Sequence, residues 1–120
     1  MPFTGSHPAA VVPLLRTGLV PSALVIGSMI PDLPYYVPVP VSSTVTHSAA
    51  GVIGVDLVLG VAVFAVWQLV LAPAVVGLAP PGVRDRLAPG LPVHPRRHVR
   101  SLAAVALVLA SLVIGAATHV

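Results

Sequence analysis

Residues 48–72 read SAAGVIGVDLVLGVAVFAVWQLVLA, 25 residues with a single charge, Asp56. A hydrocarbon core of about 30 Å is crossed by roughly 20 apolar residues in a helix, so this stretch is long enough to span a bilayer. A second stretch, SLAAVALVLASLVIGAATHV at 101–120, carries nothing ionisable except His119. The composition agrees: the chain is 57% hydrophobic and 8% charged, with a mean hydropathy of +1.02. A soluble domain needs roughly a quarter of its residues charged to stay in water. The fold class expected is all-α: a helical integral membrane protein with spanning helices at 44–72 and 101–120, preceded by a broken helix or helical hairpin at 8–30.

The charges set the topology. There are six Arg, three Asp, and no Lys or Glu, and five of the Arg fall between Arg84 and Arg100. A net charge of +3 and a pI near 10.7 would suggest nucleic acid as the partner of a soluble protein. Clustered in one loop, 73–100, the same charges mark the cytoplasmic side under the positive-inside rule, so the expected partner is the lipid bilayer and not nucleic acid. With that loop inside, the 44–72 helix starts outside and the 101–120 helix ends outside. His47 and His119 then share one face of the membrane. The absence of Cys excludes disulfides, iron–sulfur ligation and thiol nucleophiles, and any metal must be held by His and carboxylate.

Ser6-His7-Pro8 reads as a helix start, with Ser6 able to cap and Pro8 tolerated in the first turn. Arg16 precedes an apolar run from Gly18 to Ile30, but it comes late and no small-x-small site follows, so the segment reads as retained rather than cleaved. Val20-Pro21-Ser22 is a break. Residues 8–30 therefore form either one kinked span or a hairpin, and only the hairpin leaves His7 and Asp32 together. The connection at 31–43, PDLPYYVPVPVSS, has four prolines and is expected to be extended and outside the hydrocarbon, with Tyr35 and Tyr36 at the interface. Trp67 is expected to anchor the opposite interface.

His7, Asp32, His47 and His119 all lie at or near the ends of apolar stretches. Neutral imidazole and carboxylate are the usual ligands of Zn and also serve Mn and Fe, and several converging with an open position acidify a bound water. No pair has i, i+3 or i, i+4 spacing, so spacing alone does not assign a divalent metal. The segments MPFTGSHPAAVVPL, SALVIGSMIPDLPYYVPVP, THSAAGVIGVDLVLG and the terminal GAATH together resemble a bacterial integral-membrane family, domain-of-unknown-function family 4184. More distantly the chain is similar to membrane-bound metal-dependent hydrolases that share an early His, a Pro-Asp, a Thr-His-Ser and a late His. The resemblance implies ligand roles for His7, Asp32, His47 and His119, a Zn-like ion, and location in the bacterial inner membrane. In the families resembled an Asp and further helices follow the late His, whereas this chain ends at Val120 and reads as a short or C-terminally truncated member.

Several residues have plainer readings. Ser48 either supports His47 by a hydrogen bond or caps a first helical turn. Asp56 lies about 13 Å deeper than His47 along a continuous helix and half a turn away. It is therefore read as outside the site and paired with Arg16. His94 and His98 are at i, i+4, but Pro95 and the neighbouring Arg make a solvated or headgroup-binding loop the better reading. Ala50/Gly54 and Ser111/Gly115 permit close packing of the two spanning helices. The functional reading is a metal-dependent hydrolase acting at the membrane boundary on an ester or phosphoester, with a lipid-like substrate. The alternatives are a non-catalytic scaffold or assembly subunit without metal and, more remotely, a transporter, which would require a homo-oligomer.

Overall fold

The computed structural model describes residues 4–87 and 99–120, and its regular structure there is helical throughout. The N-terminal segment is the hairpin. A 3-10 helix, Thr4–Leu14, leads through a turn to α1, Pro21–Met29, which returns into a 3-10 turn, Ile30–Tyr35. Pro8 and Pro13 lack the N–H that an α-helix would use, which suits the outgoing leg to its tighter, poorly hydrogen-bonded form. Gly18 closes the turn at φ +86°, a conformation open to glycine.

Irregular backbone among apolar helices must find its hydrogen bonds within the protein. The Val20 N–H, at the mouth of α1, donates to Ser111 Oγ at 2.9 Å, and Ser111 in turn donates to the Leu107 carbonyl at 2.6 Å. Ser111 is fully buried. This serine supplies the cover that the break before Pro21 requires.

The second half of the chain contains α2 (Ser43–Thr46), α3 (Ala49–Ile53), α4 (Val55–Val66), a π-helical stretch (Trp67–Leu71), α5 (Ala72–Leu78), α6 (Pro81–Leu87) and α7 (Leu102–His119). The long helical run thus begins and ends later than the expected 44–72. Ser48 leaves helical geometry at φ −114°, ψ 155° and accepts a bond from the Gly51 N–H at 3.0 Å, while Gly54 breaks the chain again. At the far end Pro73 does not stop the helix. The π-helical turn before it, in which the Ala72 N–H reaches back to the Trp67 carbonyl, absorbs the proline. Trp67 is consequently in mid-run, with its indole N–H buried and without a partner. Residues 73–78 and 81–87 are helical instead of loop. Arg84 folds back to bond the Val76, Gly77 and Ala79 carbonyls at 3.1, 3.1 and 3.2 Å, satisfying the open end of α5. The start of the Pro-rich connection is also tighter than expected, a 3-10 turn in which Pro31 and Asp32 are buried. His94 and His98 lie outside the described residues.

Val55–Leu78, 24 residues, and Leu102–His119, 18 residues, are long and apolar enough to cross a membrane. The main partner of α7 is α1 and not the other long helix. A Cβ at Gly27 would run into the Leu112 carbonyl, and one at Gly115 into the Leu24 carbonyl, so only glycine allows the two backbones this approach. Ser111 and Gly115 therefore face α1, while Leu112 covers Gly60 of α4. Val20, Ala23, Phe64, Val108 and Leu112 form the apolar core.

Polarity is distributed in the opposite sense to a water-soluble protein. Ser28, Asp32, Thr46, Asp56, Gln68 and Ser111 are buried, whereas Leu78 and Leu102 are 86% and 90% exposed and Val58 70%. An outward apolar face over a polar interior suits hydrocarbon as the solvent.

Candidate metal centre

Four segments converge at one end of the molecule. His7 comes from the outgoing leg of the hairpin, Asp32 from the 3-10 turn after α1, His47 from the end of α2, and His119 from the end of α7. The Asp32 carboxylate is the hub. His47 Nε2 and His119 Nε2 each lie 3.2 Å from its Oδ1, and His7 Nε2 lies 3.4 Å from its Oδ2. The His7 and His119 rings pack with centroids 3.8 Å apart, and His47 Nε2 is 3.0 Å from His119 Nε2. All four sequence-derived candidates meet, and His47 and His119 share one end of the molecule.

Backbone carbonyls orient two of the rings. His119 Nδ1 is 2.8 Å from the Ser28 carbonyl, and His47 Nδ1 is 2.8 Å from the Ser43 carbonyl, with Thr46 Oγ1 at 3.2 Å. A carbonyl can only accept, so Nδ1 is assigned the proton in both, and in the neutral ring Nε2 then presents a lone pair. Two such lone pairs 3.0 Å apart beside a carboxylate are mutually repulsive unless a cation or an additional proton stands among them. Holding Nδ1–H against a carbonyl is also how proteins aim a ligating imidazole. The third ring fits the same use: His7 Nε2 is buried with no hydrogen-bond partner. The donor atoms of His7, Asp32 and His119 lie within 4.8 Å of one another, a cluster that could hold a metal ion. His47, with 32% of its side chain exposed against 4% for His119, borders the open side.

Thr46 ties the site together and was not among the sequence candidates. Its hydroxyl, fully buried, lies 2.7 Å from the Pro31 carbonyl and 3.0 Å from the Ser43 carbonyl, coupling the segment that carries His47 to the turn that carries Asp32. Its adjacency to His47 in Thr-His-Ser was the available signal. Ser28 and Ser43 act through backbone carbonyls, which leave no trace in residue type. Ser48 takes the capping role: its hydroxyl accepts from Gly51 and donates to the Val45 carbonyl at 2.7 Å, leaving Ser43 to hold His47.

The expected Arg16–Asp56 pair does not form. Arg16 is exposed in the hairpin turn, at the opposite end of α1 from the cluster, while Asp56 opens α4 at the cluster end. Asp56 is 2% exposed and neither carboxylate oxygen has a hydrogen-bond partner. Interruptions at Ser48 and Gly54 also void the continuous-helix distance that had separated it from His47. An ionised carboxylate buried without a hydrogen-bond partner costs several kcal/mol. The variant Asp56→Asn is therefore expected to melt in detergent at or above the wild-type temperature, and a clear fall would show an unrecognised partner.

Such an arrangement defines an all-helical, inside-out protein with a His–Asp cluster gathered at one end of its apolar helices. The family model described as Domain of unknown function (DUF4184) matches residues 1–120, and the chain belongs to that family. Neither the curated proteins nor the solved structures contain a match.

Proposed function

We propose that this chain is a metal-dependent hydrolase embedded in the bacterial inner membrane, acting on an ester or phosphoester at the membrane boundary. His7, Asp32, His47 and His119 are its ligands for a Zn-like divalent ion. The observation that carries this reading is the pair of carbonyl-locked imidazoles, His47 and His119, whose Nε2 atoms meet at one oxygen of Asp32. An ion bound there supplies Lewis acidity and lowers the pKa of a bound water toward neutrality. The chain's own residues hold the rest of the chemistry: Ser28 and Ser43 fix ring orientation, and the exposed edge of His47 leaves room for water and substrate. In the reaction, water adds to the carbonyl carbon or phosphorus, the bond to the leaving oxygen breaks, and the water's proton ends on that oxygen.

Sidedness follows the same reading. Arg16, Arg84, Arg86 and Arg100 belong to the end opposite the cluster, at the hairpin turn, after α5 and before α7. The Arg-rich segment 73–100 is then cytoplasmic and the cluster outward-facing.

Protein purified in detergent without chelator is expected to contain about one transition metal per chain, lost in His47→Ala, as elemental analysis would read. Binding should also weaken as pH falls, because an imidazole must be deprotonated to hold the ion. A folded protein that holds no metal and cannot be loaded would leave a non-catalytic scaffold as the reading.

A further inference from the structure

We infer that the substrate of this site carries a hydrocarbon chain and that the chain lies in one apolar groove beside the cluster. The inference rests on the hydrolase reading and narrows its substrate class. The groove, open along one side, has a volume of about 370 Å³ and is lined almost wholly by apolar atoms. Its lining includes Ile26, Met29, Ile30, Leu33 and Val63, with Gly5 and the exposed Tyr36.

Position ties the groove to the site. Gly5 stands two residues before His7, and Ile30 and Leu33 flank Asp32. In a 3-10 helix residues three apart share a face, so Ile30 and Leu33 line the groove from the same turn that presents Asp32 to the histidines. Direction ties it to the membrane. Ile26 lies about 6 Å back along α1 from Ile30, and Val63 about 12 Å down α4 from its start at the cluster end. The groove therefore runs from the turn that carries Asp32 toward the middle of the apolar helices, the direction taken by a chain whose head group stays at the boundary. With so little polar lining it offers no partner to a sugar, nucleotide or peptide, whereas a hydrocarbon chain needs none.

A long-chain fatty acid bearing a mid-chain diazirine tests this by photolabelling of the full chain in phosphatidylcholine nanodiscs. Labelling is expected to saturate near one probe per chain, to map to the peptides around Ile26, Leu33 and Val63, and to be displaced by unlabelled long-chain fatty acid but not by acetate. Ile26→Trp and Val63→Trp, which fill the groove from two walls, should each lower labelling about tenfold with helical content retained. Labelling that never saturates and spreads over the outward Val58 and Leu69 overturns the inference, as does labelling unchanged in both variants. Metal analysis of the same samples separates the two claims: saturable groove labelling in a metal-free protein keeps the groove and removes the hydrolase reading. Stoichiometric metal with unsaturable labelling does the reverse.

Discussion

Replacing Asp32 by Asn is expected to leave a folded protein that no longer retains metal, with affinity lowered by more than about a hundredfold. Three imidazole nitrogens approach this one carboxylate, within 3.2 to 3.4 Å, and it is the carboxylate of the group that could hold a metal. An amide keeps the size of the group and one acceptor oxygen, but it supplies no negative charge and directs N–H donors at lone pairs intended for a cation. The fold should survive, because Thr46 still bonds the Pro31 carbonyl and His119 still bonds the Ser28 carbonyl. Titration calorimetry with Zn and far-ultraviolet circular dichroism on the same sample separate the two effects. Unchanged stoichiometric binding in the Asn variant would remove Asp32 from the ligand set.

A second large effect is expected at the crossing of α1 and α7. Gly115→Ala should cost about 2–3 kcal/mol of stability, because the new methyl would run into the Leu24 carbonyl and crowd the Ser28 N–H, and neither backbone can yield without opening the helix pair. Gly27→Ala should behave alike, since its methyl would meet the Leu112 carbonyl. The loss should reach the His–Asp cluster as well, because His119 is held by the Ser28 carbonyl across this same crossing. Gly77→Ala is the control: it lies in α5 with open space around it, so alanine should be neutral or stabilising by up to about 1 kcal/mol. Thermal unfolding in detergent, followed with and without added Zn, reads both consequences. Equal stability of the Gly115 and Gly77 variants would mean that the close approach does not contribute.

The four-residue cluster was legible because charge is scarce here. In a chain with three Asp and five His, each ionisable group at the end of an apolar stretch stands out, and the Arg distribution places His47 and His119 at one level before any contact is known. The pairing of Asp56 with Arg16 failed because the hairpin carries Arg16 to the far end of α1 while Asp56 opens α4 at the cluster end. A serine that can sit within a helix or cap one, as Ser48 does, gives no local sign of which it will do.

Residue order alone carried the helical material and its fit to an apolar solvent. Two long apolar stretches without lysine or glutamate are long and apolar enough to cross a membrane as helices, and the prolines at 8, 13 and 21 exclude one straight N-terminal helix. The tertiary structure decided what those helices surround. Whether residues 8–30 cross or return depends on whether Ser111, ninety-one positions away, covers the Val20 N–H. Whether His47 and His119 can hold an ion depends on two backbone carbonyls that turn their rings. Hydrogen bonds to backbone and close passages over glycine are made between segments far apart in sequence, and no local propensity encodes them.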